Sequence, residues 1–205
     1  VFVEQIGENT EFVLNLVALY TKDYLRSNIE KTDKEYFFKQ ILQNDISGQE
    51  LDKRNKVFRF DNGTKKAVAT IRTQSIPEYP VSEVLKNLFH DMKDIVITTL
   101  DNSDTVIILT VKEDFESMLL SAVSTLEEQL MVSVKASIGR YFTLLEEAKN
   151  SYITSLKAFD IGSLYREGYA VYNYNNMGIA RLFHDIPVQK LDRFRLSGIC
   201  WRCLF

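Results

Sequence analysis

Proline and glycine are scarce in this chain, three and eight of 205 residues, which leaves no room for a long flexible or extended linker. Only two cysteines occur, Cys200 and Cys203 near the C-terminus. A disulfide framework is therefore excluded, and the cytoplasm is the expected compartment. No sign of charge dominates: 25 basic and 28 acidic side chains leave a net of −3, so an electrostatic grip on nucleic acid is not expected. No apolar run approaches bilayer length, and no basic segment followed by an apolar core opens the chain. Membrane association is not expected either. The chain begins at Val1 rather than Met and reads as a piece of something longer.

The strongest positive signal is a hairpin over residues 94–111. Ile95, Val96 and Ile97 lead through Thr98, Thr99 and Leu100 into Asp101, Asn102, Ser103 and Asp104, and residues 105–111 (TVIILTV) run back. Two β-branched runs joined by a short Asp/Asn/Ser cluster have that signature. Both arms are almost wholly apolar, so helices are expected over at least one face of the sheet they centre.

Around it the chain alternates. Residues 1–6 read as extended, and a turn at 7–10 offers Asn9 or Thr10 as N-cap. A helix is expected over 11–27, where Val13, Leu16, Val17, Tyr20 and Tyr24 recur at three- and four-residue steps. Two capping boxes, Thr32 with Glu35 and Ser47 with Glu50, predict two further short helices, with Asn62-Gly63 turning the chain out of the second. A strand at 67–73 follows, then a helix through Val81, Val84, Leu85, Leu88, Phe89 and Met92, the hairpin, and a helix through Phe115, Leu119, Ala122, Val123, Leu126 and Leu130. Val134, Ala136 and Ile138 alternate with Lys135 and Ser137 as in a half-buried strand. Residues 142–159 read as a helix closed by Gly162, 169–174 as a last strand and 177–184 as a last helix.

From Ala67 the order is β-α-β-β-α-β-α-β-α. Its first six elements are the split βαβ, ferredoxin-like arrangement, an α+β fold with a mainly antiparallel sheet. Right-handed crossovers place both of its helices on one face. The expected organisation is a helical connector over 1–60, a sheet domain over 61–194 and an atypical tail over 195–205.

This order, with a hairpin at its centre, resembles the GGDEF nucleotide-cyclase fold. From Val134 the segment VKASIGRYFTLLEEAKNSYITSLKAF looks like the strand-glycine-helix of PucR/CdaR-type bacterial transcriptional regulators, through Gly139, Ala148, Ser151 and Tyr152. YAVYNYNNMGIARLFHDIP is similar to that family's next block, with Tyr174 and Gly178 ahead of Leu182. EYFFKQILQND and ELDKRNKVFRFD are similar to the helical segment before it, so the likeness covers about residues 32–194. The resemblance implies a non-catalytic regulatory and dimerisation module of sugar-diacid or purine-catabolism type. Its effector would be sensed through an upstream domain whose last strand and helix would be residues 1–27. DNA would be reached only through a C-terminal helix-turn-helix that this chain lacks, since it leaves the pattern after Phe194.

Departures from the cyclase pattern point the same way. Active cyclases carry Gly-Gly-Asp/Glu-Glu-Phe on the hairpin and a second metal-binding Asp near the end of the first strand. Here the tip is Asp101-Asn102-Ser103-Asp104, and Ala69-Thr70-Ile71-Arg72-Thr73 offers no carboxylate. Phosphoryl or nucleotidyl transfer then lacks its main source of charge stabilisation. No catalytic residue, no metal ligand and no cofactor is expected, and cofactor-binding residues are not assignable.

The remaining candidates have plainer readings. Asp101, Asn102 and Asp104 suit a turn better than a cation site, which needs more oxygen ligands. Cys200 and Cys203 lack a second ligand pair. His90 and His184 are far apart and stand in no nucleophile motif. Tyr165, Tyr169, Tyr172 and Tyr174 are expected to pack in the sheet rather than stack on bases. Two readings compete with the regulator: a divergent nucleotide cyclase or nucleotide-binding domain, and an interaction domain with no ligand.

Overall fold

The computed structural model of the protein describes residues 10–43, 46, 48–58, 60, 63–92, 95–100, 104–165 and 168–181. Expectations placed on residues 1–6, Ser47, Asp61, Asn62, the hairpin tip 101–103, His184, the Cys200/Cys203 pair and the tail 195–205 lie outside the described residues.

Among the described residues five strands make one sheet: β1 (Lys66–Thr73), β2 (Val96–Thr99), β3 (Asp104–Thr110), β4 (Val134–Ile138) and β5 (Val171–Asn173). Their spatial order is β2-β3-β1-β4-β5. The first four pair antiparallel and β5 runs parallel to β4. Among the described residues five helices accompany them: α1 (Thr10–Gln43), α2 (Gly48–Phe58), α3 (Val81–Leu88), α4 (Phe115–Leu130) and α5 (Ala148–Tyr165). From β1 to β4 the order is β-α-β-β-α-β, the α+β ferredoxin-like arrangement read from the sequence.

Both faces of the sheet are covered, each by its own apolar core. Ala67, Ala69 and Ile71 of β1, with Ile107, Leu109, Ala136 and Ile138, face α3 and α4 through Leu85, Leu119, Val123 and Leu126. That is the face to which right-handed crossovers confine those two helices. On the opposite face Val68, Val96, Val106 and Ile108 meet Phe37, Phe38, Ile41 and Leu42 of α1 and Leu51 of α2. There α1 lies along β2, and α5 lies over β1, β4 and β5. Coverage on both sides explains why the hairpin arms read as continuous apolar runs instead of alternating ones. Ser137, expected on a solvated side of β4, is fully buried for the same reason.

Three expectations change. The helices expected at 11–27 and from Thr32 are one helix of 34 residues. No glycine or proline interrupts residues 10–43, so nothing breaks the backbone pattern there. Glu35, read as half of a capping box, instead pairs with Lys86 of α3 at 2.9 Å. At residue 142 the expected helix starts later. Phe142 still exchanges backbone hydrogen bonds of 2.8 Å with Lys66, and only after a 3-10 turn (Leu145–Glu147) does α5 begin. Gly162 does not close α5 but sits inside it.

Candidate functional site

The β2–β3 hairpin is the strongest local signal in the sequence, so the residues at its end of the sheet are built up first. Register places Arg72 of β1 directly opposite Asp104 of β3. The guanidinium donates to both carboxylate oxygens, Nε to Oδ1 at 2.8 Å and Nη2 to Oδ2 at 2.7 Å. Such a fork-on-fork contact uses the carboxylate's paired acceptor edge and fixes both planes. The Asp104 side chain is only 8% exposed, against 43% for Arg72. Its hydrogen bonds to Asp104 hold the Arg72 guanidinium above its ordinary range, burial opposes them, and the charges of Asp104 and Asp160 add to the rise. Arg72 also lies 4.8 Å over the Phe159 ring of α5.

On the other side of Arg72 its cross-strand neighbour is Lys135 of β4. The Lys135 ammonium donates to the Tyr172 hydroxyl at 3.3 Å. Lys39 of α1 reaches the same end of the sheet and donates to the Thr99 carbonyl at the close of β2, 3.1 Å away. The end of the sheet therefore holds three cations, Arg72, Lys135 and Lys39, and one committed carboxylate. As a chemical site it can present positive charge, but Asp104 already serves a guanidinium.

Below this row α5 is seated on the strands by hydroxyls and bare backbone. The Ser151 hydroxyl accepts from the Val68 backbone N–H at 3.0 Å. Ser155 donates to the Tyr152 carbonyl at 2.7 Å, which leaves Thr70 as donor in the 2.6 Å contact between the two hydroxyls. A Cβ at Gly139 would lie 1.8 Å from the Ser151 carbonyl oxygen, and one at Gly162 would lie 2.3 Å from the Tyr172 ring. Close approach is thus the job of both glycines, and the interior position of Gly162 follows from it.

At the opposite end of the sheet, Asn173 of β5 ties the strand to the start of α4. Its amide nitrogen donates to Glu116 and to the Tyr141 hydroxyl, and its oxygen accepts from the backbone and side-chain nitrogens of Asn175. All four hydrogen-bonding positions of the buried amide are used within the chain, so this cluster reads as a structural knot.

Residues singled out in the sequence fall apart in space. Asp104 is found in the ion pair, while Asp101 and Asn102 are outside the described residues. His90 is exposed at the end of α3, beside Asp91 at 3.1 Å. Tyr172 is buried and meets Phe159 edge-on at 6.3 Å, Tyr174 carries Arg181 over its ring at 5.3 Å, and Tyr169 is exposed. Tyr169, Tyr172 and Tyr174 therefore form no shared stacking platform, and the Tyr165 side chain lies outside what is described. No group of three or more His, Cys, Asp or Glu side chains is placed to hold a metal ion among them. Sequence reasoning missed the Arg72–Asp104 pair. An arginine in an otherwise apolar strand and an aspartate opening the next were both visible, but only the register brings them together.

No protein-family profile and no curated protein matches the chain. Among solved structures it is similar to a microbial GGDEF domain described with bis-(3′,5′)-cyclic di-GMP, at 16% identity and a TM-score of 0.43. That likeness covers 62% of this chain and 90% of the other. The fold assignment stands on the strand order and pairing given above. Among the described residues, no helix is long and apolar enough to cross a membrane.

Proposed function

We propose that the chain is a non-catalytic regulatory part of a cytoplasmic bacterial transcriptional regulator that responds to a metabolite. It would be of the sugar-diacid or purine-catabolism type, with a degenerate GGDEF-like domain at its centre. The observation that carries this reading is the Arg72–Asp104 pair. Where a cyclase needs free carboxylates for divalent metal, the buried Asp104 carboxylate at the hairpin base is neutralised by a guanidinium held in two hydrogen bonds. A cation entering there would have to displace a charge of its own sign.

The second support is α1. Its C-terminal end belongs to the sheet core through Phe37 and Phe38, both 0% exposed. Lys86–Glu35 and Lys39–Thr99 fasten it further. The N-terminal end carries exposed Val13, Leu16, Val17 and Tyr20. A helix of 34 residues spans about 50 Å, so it joins an apolar pairing surface to the sheet without a break. In this reading two protomers pair through the helix, and an effector bound upstream shifts the arrangement passed to a DNA-binding domain outside this chain.

Incubation with GTP or ATP and Mn²⁺ separates this reading from a divergent nucleotide cyclase. No product is expected, and product formation that is lost in Asp104→Asn would overturn the proposal. The pairing part fails if the protein stays monomeric at high micromolar concentration, alone and joined to its neighbouring domains.

A further inference from the structure

The outer edge of β2 is covered but not paired. β2 lies at one end of the sheet, beside β3. The Leu100 N–H donates to the Asp104 carbonyl at 3.3 Å, so by register the even-numbered residues of β2 bond to β3. Alternation then turns the N–H and C=O of Ile97 and Thr99 outward, away from the sheet. Lys39 donates to the outward Thr99 carbonyl at 3.1 Å. Ile97 is only 5% exposed, yet its two outward groups have no hydrogen-bond partner among the described residues. Buried backbone groups left in that state are rare, because each has given up its bond to water.

The cover comes from two side chains one turn apart on α1. The helix α1 lies over β2 on one face of the sheet and α3 lies on the other. Glu35 shares the side of α1 from which Lys39 reaches the edge, and it meets Lys86 of α3 at 2.9 Å. The ion pair therefore passes outside β2 and straps the two helices around it. The Glu35 and Lys86 side chains are 30% and 46% exposed, so the strap is weak and screened by salt. Phe37 and Phe38 keep α1 itself seated. Opening the strap needs only the charged side chains to swing away.

Behind the strap, residues 96–99 (VITT) are all β-branched and carry no charge and no proline. They have none of the side-chain devices that keep an edge from pairing. An antiparallel pair centred on Ile97 is self-complementary. Ile97 of each copy exchanges both outward bonds with Ile97 of the other, and Thr99 faces Ile95. A second copy of the chain thus satisfies both unpaired groups with no further component.

We infer that the β2 edge is a strand-pairing surface for a second copy of this chain, closed by Lys39 and the Glu35–Lys86 pair and opened when they let go. Pairing there joins two sheets into one. This surface is separate from the helix pairing in the proposed function, which is tested on the wild type.

Sedimentation equilibrium of full chains under reducing conditions, all at the same high micromolar concentration, tests it. Glu35→Ala, Lys39→Ala should raise the average mass toward twice that of the wild type. Adding Thr99→Pro should return it to the wild-type value, because proline removes the outward Thr99 N–H and is tolerated on a strand edge. Lys39→Ala, Lys86→Ala opens the same edge from the α3 side, so the test survives a Glu35 variant that fails to fold, which thermal unfolding identifies. A mass equal to the wild type's in the folded strap variants overturns the inference and leaves the wild-type pairing untouched. A raised mass that persists with Thr99→Pro comes from another surface and also overturns it.

Discussion

Arg72 and Asp104 stand opposite each other on β1 and β3, joined by two hydrogen bonds of 2.8 and 2.7 Å. The pair converts the end of the sheet from a place that could gather cations into one that has supplied its own. Arg72→Met removes the guanidinium that donates to the buried Asp104 carboxylate. Breaking a fully buried pair costs about 3–5 kcal/mol, but Arg72 is 43% exposed, so about 2 kcal/mol is expected after screening by solvent. Chemical denaturation of the two proteins measures it.

The pH dependence of that difference follows from the direction of the Arg72 shift. Its pKa is raised in the folded state, so its stabilisation is fully present below the unfolded value and is lost only as pH climbs through the folded one. The stability gap between the wild type and Arg72→Met should not shrink between about pH 7 and pH 11, since the ordinary arginine value already lies above that range. Thermal melts across that range check it. A gap that closes near pH 10 would mean that another group holds Asp104.

Gly139→Ala should fail to fold or lose more than about 3 kcal/mol, because its Cβ would meet the Ser151 carbonyl oxygen at 1.8 Å. Gly48 is the control. A Cβ there meets nothing within 4 Å, and Gly48→Ala at the start of α2 should be neutral or stabilise by about 0.5–1 kcal/mol. Unfolding curves of the two variants decide whether close packing of α5 on the strands is what the glycine provides.

Asn173→Asp replaces the donor that faces Glu116 and Tyr141 with a carboxylate beside a carboxylate. The cost at neutral pH should be about 2–3 kcal/mol. Mutual repulsion raises the folded-state pKa of the acidic pair, so stability should recover as pH falls toward about 4. A cost independent of pH would mean that the loss is one of packing alone.

Phe38→Ala should lose about 3–5 kcal/mol, as for any fully buried aromatic, since Phe38 is 0% exposed between α1 and the sheet. Tyr20→Ala, 73% exposed on the same helix, should leave the unfolding of the sheet domain within about 0.5 kcal/mol at low concentration. Equal losses would place residues 13–20 in the core as well.

Strands and their order were legible because β-branched runs and turn residues are local signals, and β1, the hairpin and β4 lie where those signals put them. The union of two expected helices into α1 was not, because a Thr/Glu pair three apart caps a helix only if the chain breaks there. Tertiary contact with Lys86 gave Glu35 another use. Gly162 was misread for a related reason: a glycine that ends a helix and one that admits a neighbouring ring look alike until Tyr172 is in place. The candidate site was hardest to foresee. Arg72 and Asp104 are 32 residues apart, and a register shift of one residue would turn them to opposite faces.

Calorimetric titration of the wild-type chain with Mn²⁺ and GTP, repeated on Asp104→Asn, tests most directly whether the hairpin end has been closed to metal and nucleotide. The account predicts no saturable heat at millimolar ligand for either protein. Micromolar, Mn²⁺-dependent binding to the wild type that vanishes in Asp104→Asn would contradict it.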